Sequence, residues 1–278
     1  MIKRIKRHIK GIKLYHQRDG LNGVLYYIKH RIYNKIIRPI RYSDLFIPFS
    51  PERLLAKRFE ETFPRVDEHL FPVMGNYRIF KQNKFNKDSI VYSLGVLADT
   101  DFDAAISNQF GCPIYLFDPS NIAKDHLEKV NNPQFIFSQV GVWNETCDIE
   151  FSTPKYGGSP SMILKYDGKH FVHKCVDLKE IMEQKGHEHI DLIKMDIEGA
   201  AFGVLNRMLD INVHPSQIIA EFERPRSDDV LDYFGFYSDL IALNKRLSAL
   251  GYKAYCIPRE KVKYYSIELI FVRFNQSN

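Results

Sequence analysis

The feature that most constrains the fold is a regular alternation of short apolar strands and amphipathic helices that begins at Ile90. The predicted strands are Ile90–Leu94, Ile114–Phe117, Phe135–Val142, Leu192–Met195 and Gln217–Phe222. The predicted helices are Phe102–Phe110, Ile122–Val130, Leu178–Lys185 and Ala200–Leu209. Strands joined by helices of this length pair in parallel through right-handed crossovers, with helices on both faces of the sheet. The chain is therefore predicted to be an α/β protein of the doubly wound, Rossmann-like class.

Two stretches break this alternation. The first, Asp148–Lys174, predicts an excursion of strands and loops between the third strand and the next helix. The second follows a predicted helix over Tyr233–Leu250, where strands at Lys253–Ile257 and Ile267–Phe274 succeed each other with no helix between them. Two consecutive strands of this kind predict a hairpin, so we expect at least one antiparallel strand in the sheet.

The N-terminal region differs from the rest in charge. Residues 1–44 hold 12 Lys/Arg and 2 Asp, a balance of +10, and the other residues hold 27 Lys/Arg against 32 Asp/Glu, a balance of −5. Ile2, Ile5, Ile9 and Ile12 recur at helical spacing among cations, and a second periodic stretch runs from Leu21 to Ile32. This pattern predicts a basic amphipathic helical arm. The arm either contacts an anionic membrane or an acidic partner, or packs as a helical cap on its own domain.

These patterns divide the chain into a basic arm (1–48), a lead-in segment (49–88) and a main domain (89–278). Within the lead-in, a helix over Glu52–Phe63 and a short strand at Tyr77–Lys81 are predicted. No apolar run approaches the roughly 20 residues that cross a bilayer, and we expect a cytoplasmic protein, in peripheral contact with the inner face of the membrane if the arm binds lipid.

Several functional classes are disfavoured by what the sequence contains. Its four cysteines, Cys112, Cys147, Cys175 and Cys256, are far apart and predict free thiols rather than a zinc or redox site. Binding of nucleic acid is also disfavoured, because the region after residue 44 is net acidic and lacks a stripe of aromatic and basic residues. Neither a G-x-G-x-x-G nor a G-x-x-x-x-G-K-[ST] motif is present.

In a doubly wound sheet, ligands bind beyond the carboxyl ends of the strands. The first strand leads into Ser93, Leu94 and Gly95, where a glycine lets the backbone approach a ligand. Taken by itself, Gly95 is better explained as a plain turn residue. The second strand leads into Asp118 and Pro119. Asp118 is placed to accept hydrogen bonds from ribose hydroxyls, or to cap the next helix with Pro119 in its first turn. Together these positions predict a ligand that carries a nucleoside.

The third strand leads into Gly141, Val142 and Trp143. This places the one tryptophan of the chain near the expected position of an adenine ring, and packing in the core is the alternative role for Trp143. The following segment Tyr156–Ser161, with the sequence Y-G-G-S-P-S, is either an acceptor-binding loop or a surface turn.

Carboxylates gather at the ends of the last two parallel strands. Asp196 and Glu198 follow the fourth strand, and the fifth delivers Glu221 and Glu223 to the same edge. Such a group can take a proton from a hydroxyl, bind a divalent cation or cap the next helix. Clustered carboxylates repel each other unless they share a proton or a cation. His173, His187 and His189 are weaker candidates for a base.

The segment Ser89–Arg226 resembles the methyltransferase domain of the FkbM type. The strongest match is I-D-L-I-K-M-D-I-E-G-A-A at Ile190–Ala201. Supporting matches, in the same order along the chain, are V-Y-S-L-G at Val91–Gly95, F-G-C-P-I-Y-L-F-D-P at Phe110–Pro119, V-G-V-W at Val140–Trp143 and I-I-A-E-F at Ile218–Phe222.

This resemblance implies a class I methyltransferase fold, a mostly parallel seven-stranded sheet with an antiparallel last strand, and S-adenosylmethionine as cofactor. It also implies methylation of a hydroxyl, as on a sugar of a polysaccharide, glycolipid or glycosylated metabolite. Two positions depart from the family pattern: Leu97 stands where relatives often have a second glycine, and Ala201 stands where glutamate is usual. These departures favour the alternative of a non-catalytic cofactor-binding or membrane-associated adaptor.

Roles for individual residues follow from the strand ends and from the resemblance together. Asp196 and Glu198 are expected to position or deprotonate the acceptor, with help from Glu221. The cofactor is expected to lie against Ser93, Gly95, Asp118, Pro119, Gly141, Val142 and Asp196. A divalent metal, if one binds, is expected at Asp196, Glu221 and Glu223.

Overall fold

The structure is a computed structural model that describes residues 51–154, 159–225, 230–257 and 266–274, together with single positions between residues 13 and 32. The chain forms two compact units, Met1–Ala56 and Lys57–Asn278. In the first unit Leu21, Val24, Leu25, Ile28 and Ile32 are all helical, as predicted. The predicted helix carrying Ile2 to Ile12 lies outside the described residues, and the domain boundaries predicted after residues 48 and 88 stay predictions.

The elements alternate as the sequence predicts. The strands are β1 (Val73–Met74), β2 (Tyr77–Arg78), β3 (Val91–Leu94), β4 (Ile114–Phe117), β5 (Phe135–Ser138), β6 (Gly141–Trp143), β7 (Cys147–Ser152), β8 (His170–Asp177), β9 (Leu192–Met195), β10 (Gln217–Glu223), β11 (Tyr252–Cys256) and β12 (Ser266–Arg273). The helices are α1 (Pro51–Glu60), α2 (Asp101–Phe110), α3 (Asn121–Val130), α4 (Leu178–Lys185), α5 (Ala201–Asp210) and α6 (Val230–Ala249).

The main sheet has seven strands in the order β11-β12-β10-β9-β3-β4-β5. The strands β10, β9, β3, β4 and β5 pair in parallel. The strand β12 lies between β10 and β11 and runs antiparallel to both. This arrangement confirms the predicted Rossmann-like methyltransferase fold and the hairpin at the C-terminal end of the domain.

The apolar pattern of each element explains its place in the core. All four residues of β3 and all four of β9 are buried, as expected for central parallel strands covered on both faces. The helix α5 buries residues at helical spacing, namely Ala201, Val204, Leu205, Met208 and Leu209. The helices α2 and α4 each end at a glycine in the left-handed conformation, which lets the chain turn back toward the next strand.

One predicted strand is wrong in its extent. The segment predicted as a single strand, Phe135–Val142, is divided between two sheets: β5 ends at Ser138 in the main sheet, and β6 pairs in parallel with β8 in a separate three-stranded sheet. A tight turn, in which the Val140 amide donates to the Ser138 carbonyl over 2.9 Å, separates the two strands. The third strand of this small sheet, β7, pairs antiparallel with β8 and accounts for the predicted excursion.

The lead-in segment forms more structure than predicted. Its short strand Tyr77–Lys81 is limited to Tyr77–Arg78 and pairs with β1 as a hairpin. The hairpin turns at Gly75, with φ of 57°, and a Cβ atom at Gly75 would lie 2.4 Å from the carbonyl carbon of Asp101. The close contact that glycine permits docks the hairpin on the start of α2 and places Tyr77 over the carboxyl edge of the sheet.

Candidate cofactor and active site

The ends of the three central strands are hydrogen-bonded to one another. The Gly95 amide donates to the Phe117 carbonyl over 2.9 Å, and the Asp196 amide donates to the Leu94 carbonyl over 3.0 Å. Gly95 has φ of 79°, and a Cβ atom there would lie 1.9 Å from the carbonyl oxygen of Asp196. Only glycine permits this approach, so the Gly95 turn and the Asp196 loop form one continuous edge.

A cavity of about 280 Å³ opens at this edge. Its lining includes most of the predicted site, namely Gly95, Asp118, Pro119, Gly141, Val142, Asp196 and Glu198. Ser93 does not line it and is fully buried. Glu221 and Glu223 are also outside the lining, although their carboxylates lie close to that of Asp196. The structure therefore brings the predicted strand ends together around one cavity.

Asp118 fixes the loop that follows β3. Its Oδ2 atom accepts hydrogen bonds from the amides of Val96 and Leu97, both over 2.9 Å, and its Oδ1 atom accepts from the Ser120 amide over 2.8 Å. The alternative role as a helix cap is wrong: Ser120 is the N-cap of α3, and Pro119 lies before the helix. Each carboxylate oxygen has two lone pairs, so these bonds leave acceptor capacity for ribose hydroxyls.

Two non-glycine residues of the edge adopt left-handed backbone conformations. Leu97 has φ of 48° and Glu198 has φ of 49°, and both line the cavity. This conformation costs a residue with a side chain about 1–2 kcal/mol, and such strain concentrates at binding sites. The position of Leu97 thus has the backbone geometry for which glycine is suited.

Tyr77 is part of the site and was not predicted from the sequence. Its hydroxyl donates to Oδ2 of Asp196 over 2.8 Å. Burial and the neighbouring Asp196 carboxylate hold the pKa of Tyr77 far above its ordinary value, so the hydroxyl stays protonated and remains a donor. No motif marks this residue; it reaches the site through the docked hairpin.

Lys194 is a second residue that was missed, although it lies within the strongest motif. It exposes only 5% of its surface, and its Nζ atom donates to the Gly95 carbonyl over 2.7 Å and lies 5.1 Å from the centre of the Tyr77 ring. A lysine in a four-residue buried strand is the signal that could have identified it. Lys194 stabilises the turn that forms the cavity wall.

The acidic residues converge as predicted. One carboxylate oxygen each from Asp196, Glu221 and Glu223 lie within 4.8 Å of one another. Burial, together with the charges of Glu198, Asp196 and Glu221, raises the pKa of Glu223 to about 8, and its Oε2 atom accepts from the Gly199 amide over 2.6 Å. This cluster is suited either to a shared proton or to a divalent cation, which prefers oxygen ligands.

The segment after β7 covers the Asp196 loop. Ser159 and Pro160 line the cavity, and the Ser161 hydroxyl donates to the Glu198 carbonyl over 2.7 Å. Residues 156–158 of the predicted acceptor loop lie outside the described residues. Its remainder holds Glu198 in its strained conformation.

Trp143 and the histidines have structural positions. Trp143 does not line the cavity; it packs on α5, where a Cβ atom at Gly203 would lie 2.7 Å from the indole ring. Its alternative role in core packing is therefore the one that the structure supports. His187 accepts from or donates to the Tyr92 hydroxyl over 2.8 Å, and His189 lies 3.4 Å from Asp191. His173, His187 and His189 are all absent from the cavity lining within the described part of the chain.

Comparison with known proteins gives a family match over the same segment. A model of the methyltransferase FkbM domain matches residues 89–254. The human protein named Probable methyltransferase-like protein 24 is 28% identical over 139 residues, which are 49% of this chain. The match covers only 33% of the human protein, about a third of its length.

Similar solved structures are methyltransferases of low sequence identity. Precorrin-6y C5,15-methyltransferase of Geobacter metallireducens is 10% identical, with a TM-score of 0.39 over 69% of this chain and 83% of that one. An rRNA methylase of Streptococcus thermophilus is 12% identical, with a TM-score of 0.39 over 69% of this chain and 90% of that one. In the described part of the chain, the helices are too short or too polar to traverse a bilayer.

Proposed function

Because this chain belongs to the FkbM methyltransferase family, we propose that it transfers a methyl group from S-adenosylmethionine to a hydroxyl oxygen, and that the acceptor is a sugar hydroxyl. The observation that carries this proposal is the single cavity bounded by Gly95, Asp118 and Asp196 at the carboxyl ends of the central strands. This is the place where a doubly wound sheet binds a nucleoside ligand.

The lining of the cavity fits the proposed cofactor. Its nucleoside part fits between the oxygens of Asp118, which accept hydroxyl hydrogen bonds, and the backbone at Gly141 and Val142. Apolar side chains line the remaining wall, namely Phe102, Phe117, Phe151 and Met162. A lining of this kind excludes water from the reacting atoms, which favours a step in which charge is neutralised.

S-adenosylmethionine, when bound, supplies a methyl group on a positively charged sulfur. In the proposed reaction the acceptor oxygen forms a bond to this methyl carbon, the sulfur–carbon bond breaks, and the hydroxyl proton passes to a carboxylate. Asp196 is the proposed base, because it lines the cavity and because Tyr77 fixes one of its oxygens by a hydrogen bond. Glu198 lies next to it on the cavity wall and is proposed to orient the acceptor hydroxyl.

The class of acceptor follows from what the acidic wall can bind. Carboxylates accept hydrogen bonds from hydroxyl groups and repel anions, so a neutral polyol suits this wall better than a phosphorylated acceptor. Glu221 is proposed to assist Asp196 through the carboxylate cluster, either by sharing a proton or by holding a divalent cation.

The experiment that tests the function is a calorimetric titration of the protein with S-adenosylmethionine and S-adenosylhomocysteine, in EDTA and again with magnesium. Binding of both nucleosides in EDTA supports the proposal, and an increase with magnesium assigns a cation to the carboxylate cluster. Asp196→Asn should keep the affinity for S-adenosylhomocysteine and lose turnover of a sugar acceptor. Absence of binding to either nucleoside would contradict the proposed function.

We also propose that the N-terminal arm attaches the protein to an anionic membrane surface on the cytoplasmic side. Four apolar residues at helical spacing share one face and are exposed, namely Leu21 (75%), Leu25 (55%), Ile28 (43%) and Ile32 (47%). The balance of +10 over residues 1–44 complements anionic lipid, to which each basic residue contributes about 1 kcal/mol. This combination is typical of helices that lie in the membrane interface.

Co-sedimentation with vesicles tests the role of the arm. The full chain should bind phosphatidylserine vesicles and not phosphatidylcholine vesicles, and Leu25→Asp should abolish binding. Glu128→Gln, an exposed change on α3, serves as the control and should bind as the unmodified chain does. Equal binding of the unmodified chain and Leu25→Asp would contradict the proposal.

A further inference from the structure

The carboxylate of Asp99 faces the cavity and has no part in the proposed reaction. Asp99 lies in the loop between β3 and α2, is exposed to solvent and belongs to the lining of the cavity. Its Oδ2 atom accepts a hydrogen bond from Nδ2 of Asn76 over 2.9 Å, and its Oδ1 atom accepts from the Asp101 amide over 3.0 Å. These bonds fix the carboxylate where the cavity meets solvent. Each carboxylate oxygen has two lone pairs, so both oxygens can accept a further hydrogen bond.

The lining of the cavity is acidic, which favours a ligand with a positive group. Among the described residues, the lining holds one lysine and no arginine or histidine, against the five acids Asp99, Asp103, Asp118, Asp196 and Glu198. The ammonium of that lysine, Lys194, is bonded to the Gly95 carbonyl. In the part of the chain that the structure describes, no lysine, arginine or histidine nitrogen lies within ion-pair distance of Asp99.

The other four acids of the lining are enclosed or have other roles. Asp103 exposes only 2% of its surface, and burial raises its pKa. Asp118 holds the loop amides and suits the ribose hydroxyls. Asp196 and Glu198 are assigned to the acceptor hydroxyl in the proposed reaction. Asp99 is therefore the accessible carboxylate that remains for a cationic group of the cofactor.

The order of the strands indicates which end of the cofactor lies near Asp99. In the sheet, β3 has β4 and β5 on one side and β9 on the other. The nucleoside is assigned to Asp118 after β4 and to the backbone after β5, so the amino-acid part extends toward β9. The hairpin lies on this side, because the Tyr77 hydroxyl donates to Asp196 at the end of β9. Asn76, the hydrogen-bond partner of Asp99, is the neighbour of Tyr77 in this hairpin.

We propose that Asp99 binds the ammonium group of the amino-acid part of S-adenosylmethionine, an inference that rests on the proposed function. The ammonium supplies a positive charge and three N–H donors, which suit an accessible carboxylate with open lone pairs. The sulfonium is also positive but has no hydrogen to donate. The ammonium is thus the part of the cofactor that matches both the charge and the acceptor capacity of Asp99.

The test compares three ligands by isothermal titration calorimetry: S-adenosylhomocysteine, whose ammonium is its one positive group, its analogue with hydrogen in place of the amino group, and 5′-methylthioadenosine, which lacks the amino-acid part. The unmodified chain should bind S-adenosylhomocysteine about fivefold more tightly than the deaminated analogue, as expected for a partly exposed ion pair. This ratio should fall as the salt concentration rises, because salt screens exposed charges. Asp99→Asn should remove the difference and leave binding of 5′-methylthioadenosine unchanged.

Asp101→Asn is the matched control. It removes the same charge two residues along the chain, but Asp101 is exposed and lies outside the cavity lining. This variant should discriminate between the ligands as the unmodified chain does. If it loses the discrimination, the effect comes from charge at the start of α2 and the assignment to Asp99 is wrong. Loss of discrimination in Asp196→Asn but not in Asp99→Asn would assign the ammonium to Asp196 and also contradict the inference.

The outcomes separate the inference from the proposed function. If the unmodified chain binds S-adenosylhomocysteine and its deaminated analogue equally well, the inference is wrong and the proposed function stands. The same conclusion follows if Asp99→Asn keeps the discrimination or weakens 5′-methylthioadenosine as much as S-adenosylhomocysteine. If the unmodified chain binds none of the three ligands, the proposed function fails and the inference fails with it.

Discussion

The two walls of the cavity are stabilised in opposite ways. The loop wall, formed by residues 95–97 with Asp118, is held by short hydrogen bonds between backbone amides and one carboxylate. The acid wall is formed by Tyr77 and Asp196, and the carboxylates of Glu221 and Glu223 lie close to that of Asp196 but outside the cavity lining. Burial and the charges of the neighbouring carboxylates raise the pKa of Glu223 to about 8. The loop wall is complete without a ligand, whereas the acid wall carries charge that a proton, a cation or a substrate must offset. A rigid binding surface thus faces a reactive one.

The largest effect is expected from a substitution that disrupts the loop wall. Gly95→Ala places a methyl group 1.9 Å from the Asp196 carbonyl oxygen in a backbone conformation that alanine disfavours. It should lower the free energy of unfolding by at least about 3 kcal/mol and abolish binding of S-adenosylhomocysteine. Urea denaturation and calorimetry measure the two effects.

Gly186→Ala is the control for this change. Gly186 has a similar φ of 70°, but nothing lies within 4 Å of its Cβ position. It should cost only about 1 kcal/mol, the strain of the backbone alone. Equal losses at Gly95 and Gly186 would mean that the contact with Asp196 does not hold the walls together.

The second-largest effect is expected in the pH dependence of stability, which reports the protonation of Glu223 beside the acid wall. In metal-free buffer the folded chain holds a proton on Glu223 up to about pH 8, whereas the unfolded chain loses it near 4.5. Stability should therefore fall as the pH rises through this window, with a slope of at most about 1.4 kcal/mol per pH unit from this group. Glu223→Gln, which mimics the protonated acid, should remove that slope.

Urea unfolding of both proteins in EDTA, from about pH 5 to about pH 9, measures the slope. Glu128→Gln, on the exposed surface of α3, should leave it as it is in the unmodified chain. Parallel curves for Glu223→Gln and the unmodified chain would mean that folding does not raise the pKa of Glu223, which would contradict this prediction.

A smaller effect is expected from Tyr77→Phe, which distinguishes the positioning of Asp196 from the binding of the cofactor. Tyr77→Phe removes the hydroxyl that fixes Asp196 and should lower turnover about tenfold, because a hydrogen bond to a charged group contributes about 1.5–3 kcal/mol. The affinity for S-adenosylhomocysteine should not change. Tyr92→Phe removes a comparable bond, to His187, outside the cavity and should leave turnover unchanged. A loss of affinity in Tyr77→Phe would place Tyr77 in cofactor binding instead.

The smallest effect is expected at Leu97. Glycine relieves the strain of its φ of 48°, but it also gains entropy in the unfolded chain, so Leu97→Gly should change stability by no more than about 0.5 kcal/mol. Binding of S-adenosylhomocysteine should persist. Loss of that binding would show that the leucine side chain, rather than the turn, forms the cofactor surface.

The site residues at the strand ends could be predicted from the sequence, whereas the residues that reach the site through tertiary packing could not. Gly95, Asp118 and Asp196 directly follow buried strands, and parallel strands bring such positions to one edge whatever their distance along the chain. Tyr77 reaches the cavity through the packing of a hairpin on a helix, which leaves no periodic signal. The division between β5 and β6 was missed because the two polar residues at the break, Ser138 and Gln139, do not form one of the Gly- or Pro-containing pairs that mark a turn.

The placement of β12 has a consequence for the order in which the chain folds. Ribosomes make protein from the N-terminus, yet β12, the last described strand, fills the gap between β10 and β11. Until Ser266–Arg273 has been synthesised, the neighbouring strands keep unpaired edges that invite association with other chains. Truncations before Ser266 should therefore give insoluble protein, and a reporter of solubility should distinguish them from truncations within the first 44 residues.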